Sequence, residues 1–219
     1  MKPAIKICGL STLESVRAAL ENRADMLGFI FFPKSPRNVS IGQAADLRQL
    51  AIGKAEAVAV TVDADDALID SIVNGMRPDW IQLHGHETPE HVAEVKARYG
   101  LPVMKAFSIR EASDLAAIAP HIGVADRFLF DAKAPKGSEL PGGNGVSFDW
   151  RLLAALDPGL DYMLSGGLNA GNVGEALKIT RAPGLDISSG VESAPGIKDI
   201  GLINEFFTAV ENARMGATQ

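Results

Sequence analysis

The sequence contains a single cysteine among its 219 residues, so neither an intrachain disulfide nor a cysteine-based zinc site can form. No apolar run approaches the roughly 20 residues that a membrane-spanning helix needs. The amino terminus, MKPAIKICG, lacks the apolar segment of a signal peptide. These absences predict a cytoplasmic enzyme or binding domain that does not contact a membrane.

The chain has fewer basic than acidic residues: 21 lysines and arginines and 27 aspartates and glutamates give a net charge of −6. Non-specific nucleic-acid binding depends mainly on neutralising phosphates, so we expect no nucleic-acid partner. A few local cations or helix ends are still enough to bind a small anionic substrate.

One pattern is repeated eight times along the chain: a short apolar run followed by a longer amphipathic stretch. Such alternation predicts strands that alternate with helices. The predicted strands cover residues 4–8, 26–32, 55–62, 79–83, 102–107, 127–132, 161–165 and 184–188. The predicted helices lie near 12–23, 41–51, 65–76, 88–99, 111–119, 148–156, 170–180 and 199–213.

Eight strand–helix pairs favour an α/β fold in which a parallel sheet closes into a single (β/α)₈ barrel over residues 1–219. The strands are almost wholly apolar, as expected when helices cover one side and a packed interior the other. The alternative is an open, doubly wound sheet of similar content. In a barrel, catalytic groups lie where the strands end, so the eight strand ends are the places to search.

The first strand ends in Cys8. A lone cysteine is most often a small buried hydrophobe, but this position lies on the catalytic face, where a thiolate can act as a nucleophile or a base. Lys6 points to the same side of the strand, where it either supplies positive charge or fills the barrel interior.

Three further strand ends offer candidate groups. Arg37 follows a proline-stiffened loop and could hold a carboxylate by two hydrogen bonds, although a solvated basic loop is the alternative. His84 is interpreted as lining a substrate pocket rather than binding a metal, because a metal needs converging ligands. Asp131 ends the sixth strand and is a candidate general acid, unless it pairs with Lys133 or Lys105. The irregular segment 134–147 that follows is a candidate lid.

The seventh and eighth strands run into glycine-rich turns, LSGGLNAGNV and ISSGVESAPG. Small residues let backbone N–H groups approach an anion, and in many barrels these two loops together hold a phosphate. A short extra turn is expected before the last helix begins near Asp199.

Together these segments resemble the phosphoribosylanthranilate isomerase family of tryptophan biosynthesis. The resemblance rests on the order of KICGL (6–10), GFIFFPKSPR (28–37), IQLHG (81–85), FDAK (130–133), GGNGVSFDW (142–150), LSGGLN (164–169) and DISSGVE (186–192). It implies a barrel that uses neither a metal nor a cofactor. It also implies Cys8 as general base, Asp131 as general acid, Arg37 on the anthranilate carboxylate, and Gly166, Gly167, Ser189 and Gly190 on the phosphate.

The implied reaction is an Amadori rearrangement of a small sugar phosphate by a monomer or homodimer. Asp131 would open the furanose ring by protonating its oxygen, and the Cys8 thiolate would then remove the C2′ proton. Three alternatives are considered: indole-glycerol-phosphate synthase, a metal-dependent pentose-phosphate epimerase and a non-catalytic phosphate-binding barrel. The first carries a long amino-terminal extension and uses lysine chemistry, and the second needs more metal ligands than these strand ends provide.

Overall fold

The computed structural model describes residues 2–132, 142, 143, 145 and 147–216. Within them, eight parallel strands pair in chain order and close into a barrel, which confirms the predicted (β/α)₈ architecture. The strands are β1 (Ala4–Cys8), β2 (Met26–Phe31), β3 (Glu56–Thr61), β4 (Trp80–Leu83), β5 (Val103–Ile109), β6 (Arg127–Ala132), β7 (Tyr162–Leu164) and β8 (Gly184–Ile187).

Six α-helices cover the outside of this barrel, and none of those that the structure describes is both long and apolar enough to cross a membrane. Side-chain caps begin several of them: the side chains of Thr12, Asp65 and Thr88 each accept a hydrogen bond from a backbone N–H in the first turn. The helices are α1 (Leu13–Glu21), α2 (Ile41–Gln49), α3 (Asp66–Met76), α4 (Pro89–Tyr99), α5 (Val173–Thr180) and α6 (Ile200–Gly216).

The predicted helices 111–119 and 148–156 are not α-helical, and this part of the prediction is wrong. The chain forms short 3₁₀ helices there, at Ala112–Ala117, Ala119–His121 and Trp150–Ala155. Pro120 lies inside the second of these 3₁₀ helices, and Pro158 follows the third. Proline lacks the N–H that an α-helix needs in its interior, so a long α-helix is disfavoured at both places.

The connection after β8 also differs from the simple extra turn that was expected. Ser189–Val191 forms a single 3₁₀ turn. The chain then makes an antiparallel pair of short strands, β9 (Glu192–Ala194) and β10 (Ile197–Lys198), before α6 begins. This hairpin returns the chain to the barrel and brings two charged side chains to the site described below.

Apolar packing is divided between two layers, which explains why the strand sequences read as nearly continuous apolar runs. The larger layer lies between the strands and the helices. The smaller one contains Cys8 and consists of strand residues two apart that point inward: Met26, Val58, Val60, Met104, Ala106, Leu129 and Met163. The barrel interior is therefore a packed core and not a channel.

Three aspartates close the amino-terminal face of the barrel in the same way. Each precedes an even-numbered strand and accepts a hydrogen bond, at 2.7 to 2.9 Å, from a backbone N–H at the start of the strand before it. The pairs are Asp25 with Ile5, Asp79 with Ala57, and Asp126 with Val103. These residues stabilise the end of the barrel remote from the candidate site.

Candidate active site

Cys8 lies at the carboxyl end of β1 with 6% of its surface exposed. Its own carbonyl oxygen accepts a hydrogen bond from Ser188 Oγ at 3.0 Å, which ties the end of β1 to the loop after β8. Burial raises the pKa of the thiol above its usual range, while the positive charges of Lys6 and Lys198 lower it without cancelling the effect of burial. The sulfur is thus buried but lies beside two cations.

Asp131 lies at the carboxyl end of β6 and is 5% exposed. Its Oδ1 atom accepts a hydrogen bond from the N–H of Ala132 at 2.8 Å. Its Oδ2 atom lies 3.5 Å from Nε2 of His84, too far for a good hydrogen bond. His84, predicted to line the substrate pocket, therefore sits beside the candidate acid, and its Nδ1 lies 2.9 Å from the amide nitrogen of Gln82.

Lys105 does not pair with Asp131. Its ammonium lies 3.1 Å from the carboxylate of Glu87 and donates to the carbonyl of Gly85 at 2.9 Å. Lys133, the other partner considered from the sequence, lies outside the described residues. The Asp131 carboxyl is accordingly not neutralised by Lys105.

Arg37, the residue predicted to hold a substrate carboxylate, is 4% exposed and already binds Glu192 at the start of β9. Its Nε and Nη2 atoms donate to the two carboxylate oxygens, each at 2.7 Å. The Lys198 ammonium lies 2.6 Å from the same carboxylate. Burial favours the neutral forms, but the ion pair outweighs it, so the pKa of Arg37 is raised and that of Glu192 is lowered.

The charges of Cys8 and Asp131 also raise the pKa of Arg37, so its guanidinium lies near both candidate catalytic groups. Two glycines from the connection after β6 cover this space. A Cβ on Gly142 would contact Oδ2 of Asp131, and one on Gly143 would lie 2.7 Å from Nη1 of Arg37. Most of the predicted lid, namely residues 134–141, 144 and 146, lies outside the described residues.

The glycine-rich loops after β7 and β8 pack against each other at the same rim. Gly166 and Gly167 adopt φ values of +87° and +66°, which glycine reaches without strain. A Cβ on Gly190 would collide with the carbonyl of Leu168, so only glycine lets the two loops approach. The N–H groups of Gly166, Gly167, Ser189 and Gly190 donate to no other described residue, and they form a set of donors suited to an anion.

The structure thus brings all eight predicted site residues to one end of the barrel. The sequence reasoning missed Glu192 and Lys198, which come from the hairpin after β8, and also Asp186, Gly142 and Gly143. Glu192 had one available signal, because it closes the DISSGVE segment. If the Glu192 carboxylate is buried there, it needs a cationic partner, and Arg37 was the basic residue already predicted at the same rim.

A closed barrel with a thiol, a carboxyl group and two glycine-rich loops at one rim is characteristic of phosphate-binding (β/α)₈ enzymes that use acid–base chemistry. Residues 5–209 match the family model described as N-(5′-phosphoribosyl)anthranilate (PRA) isomerase. The chain belongs to this family, the phosphoribosylanthranilate isomerases of tryptophan biosynthesis, and the predicted family, enzyme class and fold are confirmed.

Individual relatives agree with the family match. An N-(5′-phosphoribosyl)anthranilate isomerase of Brucella canis is 69% identical over 209 residues, which is 95% of this chain and 94% of that protein. The crystal structure of phosphoribosyl anthranilate isomerase from Thermotoga maritima superposes with a TM-score of 0.86 at 31% identity, covering 96% of this chain and 99% of that one. A further isomerase structure, in complex with reduced 1-(o-carboxyphenylamino)-1-deoxyribulose 5-phosphate, gives a TM-score of 0.83 at 29% identity over 96% and 99% of the two chains.

Proposed function

We propose that this chain converts N-(5′-phosphoribosyl)anthranilate into 1-(2-carboxyphenylamino)-1-deoxyribulose 5-phosphate, with Asp131 as general acid and Cys8 as general base. The observation that carries the assignment is the placement of one thiol and one carboxyl group on well-separated strands of the barrel, at the rim that holds the anion-binding loops. The reduced product bound in the related structure is consistent with it.

In the first step, Asp131 gives its proton to the furanose ring oxygen. The bond between C1′ and that oxygen breaks, and the lone pair of the anthranilate nitrogen forms a C1′=N bond. Oδ1 of Asp131 already accepts the Ala132 N–H, so Oδ2, which faces His84, is the oxygen that we assign to the transferred proton.

In the second step, the Cys8 thiolate removes the proton from C2′. The electron pair released forms a C1′=C2′ bond and neutralises the nitrogen, which gives an enolamine. Tautomerisation then moves the C2′ hydroxyl proton to C1′ and leaves a ketone at C2′. Cys8 then carries a proton and Asp131 lacks one, and proton exchange with solvent returns both groups to their starting forms. Substrate and product are isomers, so no oxidant or reductant is needed.

The two anionic ends of the substrate would bind at opposite sides of this acid–base pair. We assign the phosphate to the N–H groups of Gly166, Gly167, Ser189 and Gly190, which donate to no other residue that the structure describes. We assign the anthranilate carboxylate to Nη1 of Arg37, since Glu192 and the Gly143 carbonyl take up Nε and Nη2. Holding both ends would keep C2′ within reach of the sulfur and convert binding energy into correct positioning.

We also propose that the enzyme is one catalytic domain over residues 1–219 and works in the cytoplasm. Barrel strands run from Ala4 to Ile187, and α6 packs back against α1 and α5, so the described elements form one barrel. The mechanism needs Cys8 as a free thiol, as it is in the structure, and a reducing compartment keeps it so.

The proposed reaction is tested by adding purified enzyme to phosphoribosylanthranilate. Anthranilate is fluorescent, and we expect its emission to change as the rearrangement proceeds, with the carboxyphenylamino-deoxyribulose phosphate identified as product by mass and chromatography. If the protein binds the substrate but leaves it unchanged, it is a non-catalytic phosphate-binding barrel and the proposal fails.

The raised pKa of Cys8 predicts that, in the ligand-free enzyme, the thiol ionises only at alkaline pH. A raised pKa favours the protonated form, so the thiolate fraction at neutral pH is small and grows about tenfold per pH unit. The ultraviolet absorbance of the thiolate measures this directly, since Cys8 is the only cysteine. The two tyrosines also absorb when they ionise, and both have raised pKa values: about 12 for Tyr99, and a value raised by burial for Tyr162.

The control for this titration is Cys8→Ser, whose spectrum is subtracted at each pH. A midpoint below the usual range of a cysteine would show that the neighbouring lysines outweigh burial. The base would then be ionised before substrate binds, contrary to our expectation.

A further inference from the structure

Lys6 is a buried charge that the mechanism above does not use. It lies in β1, two residues before Cys8, and its side chain is fully buried. Lysine is almost never buried without a partner. Here the partner is Asp186, which faces Lys6 across the pairing of β1 with β8, and its Oδ1 atom lies 2.7 Å from the ammonium.

The ammonium of Lys6 and the sulfur of Cys8 converge on the same point inside the barrel. Gly28, the neighbour of Cys8 in β2, faces both. A Cβ on Gly28 would lie 3.0 Å from Sγ of Cys8 and 3.1 Å from Nζ of Lys6. A side chain at this position would separate the two groups, whereas glycine lets the lysine lie next to the thiol.

Four charged groups act on Cys8 from the elements packed around it. Lys6 from β1, Lys198 from β10 and Arg37 from the loop after β2 favour the thiolate, while Asp186 from β8 opposes it. Arg37 and Lys198 are both bound to Glu192. Lys6 is the cation with the largest effect on the thiol: it lowers the pKa of Cys8, and Cys8 in turn raises the pKa of Lys6.

We propose that Lys6 is a positioning residue for the reaction: its ammonium, held in place by Asp186, is the counter-ion of the Cys8 thiolate in an otherwise apolar barrel interior. The inference rests on the proposed function, in which Cys8 is the general base. Without a counter-ion, a thiolate beside Met26, Met104, Leu129 and Met163 would be strongly disfavoured by desolvation.

The alternative is that Lys6 and Asp186 form only a structural ion pair. The two possibilities differ in the direction in which each variant shifts the ionisation of Cys8. If the pair is structural, Lys6→Met and Asp186→Asn both destabilise the barrel, and neither shifts the titration midpoint of the Cys8 thiol in a defined direction. If Lys6 is the counter-ion, the first variant removes the charge that favours the thiolate and the second removes the charge that opposes it.

The test is the thiolate titration by ultraviolet absorbance on ligand-free protein, with Cys8 as the only thiol. We expect the midpoint to move to higher pH in Lys6→Met and to lower pH in Asp186→Asn, with a tenfold change in thiolate fraction at neutral pH for each unit moved. Asp186→Asn keeps an oxygen for Lys6 and can replace the hydrogen bond that Ser165 makes to Asp186.

Kinetics provide a second readout. Lys6 lies beneath the thiol and does not contact substrate in our assignment, so Lys6→Met should lower kcat about tenfold or more while KM changes little. The thiol-dependent limb of its pH profile should move to higher pH by the same amount as the titration. Lys105→Met is the matched control: it also breaks a buried lysine–carboxylate pair, but its ammonium faces Glu87 and Gly85, and it should leave the thiol midpoint in place.

The proposal is overturned if the midpoints of Lys6→Met and Asp186→Asn move in the same direction or do not move. If Lys6→Met does not fold, the Asp186→Asn titration decides alone, and a midpoint that fails to fall overturns the proposal. These results are separate from the proposed function. An active Cys8→Ser enzyme would disprove the assignment of Cys8 as base, whatever the titrations show. Titration midpoints that do not move would disprove the counter-ion role of Lys6 and leave the isomerase activity unaffected.

Discussion

Replacing Cys8 with serine is expected to lower kcat by roughly 10²- to 10⁴-fold, the range that a positioned base contributes. A hydroxyl loses its proton far less readily than a thiol, so serine cannot remove the C2′ proton at neutral pH. The barrel should remain folded, because the change keeps a small side chain in a site of limited space. Single-turnover fluorescence on the purified variant measures the chemical step directly.

Met26→Leu is the matched control for this variant. Met26 belongs to the same apolar layer as Cys8, and leucine has nearly the same volume, so packing changes little and kcat should stay within a few-fold of the natural enzyme. A Cys8→Ser enzyme that keeps more than about a tenth of the natural kcat would contradict the assignment of Cys8 as base.

Replacing Asp131 with asparagine is expected to have an effect of the same size, also roughly 10²- to 10⁴-fold on kcat. Asparagine retains a carbonyl oxygen that can accept the Ala132 N–H, and it fills the same volume, so the end of β6 should be preserved. It has no acidic proton to give to the furanose oxygen. The ring then stays closed, and substrate should bind without reacting.

The control for the acid is Asp63→Asn. Asp63 is also an aspartate at the end of a strand, but its side chain is half exposed and hydrogen-bonds the exposed His86. Its loss should leave kcat nearly unchanged. If kcat falls by the same small factor in Asp131→Asn and Asp63→Asn, another group opens the ring. A normal single-turnover rate in Asp131→Asn would show the same.

Local features of the chain predicted most of the scaffold. The spacing of apolar residues and the composition of the runs located all eight barrel strands. The prediction failed at 111–119 and 148–156, where amphipathic spacing suggested helices but nearby prolines limited the chain to 3₁₀ turns. Spacing alone does not show how far a helix can extend.

The candidate site was predicted only in part. Strand ends are readable from sequence, so Cys8 and Asp131 could be placed at one rim as soon as a barrel was inferred. The contact of Glu192 with Arg37 was missed, because the two residues are 155 positions apart and meet only after the hairpin that follows β8 has folded back. Arg37 was therefore expected to be free for a substrate carboxylate, whereas Glu192 holds two of its three nitrogens.

The sequence by itself determined the strand–helix repeat, the eight-stranded barrel and the edge at which a thiol, a carboxyl group and two glycine-rich turns would meet, since each depends on neighbours a few residues apart. Only the tertiary structure decided which charges surround the sulfur. Lys6 was within reach of Cys8 on the same strand, but Asp186 and Lys198 reach it because barrel closure joins β1 to β8. Electrostatic interactions depend on distance and burial, and neither can be read along the chain.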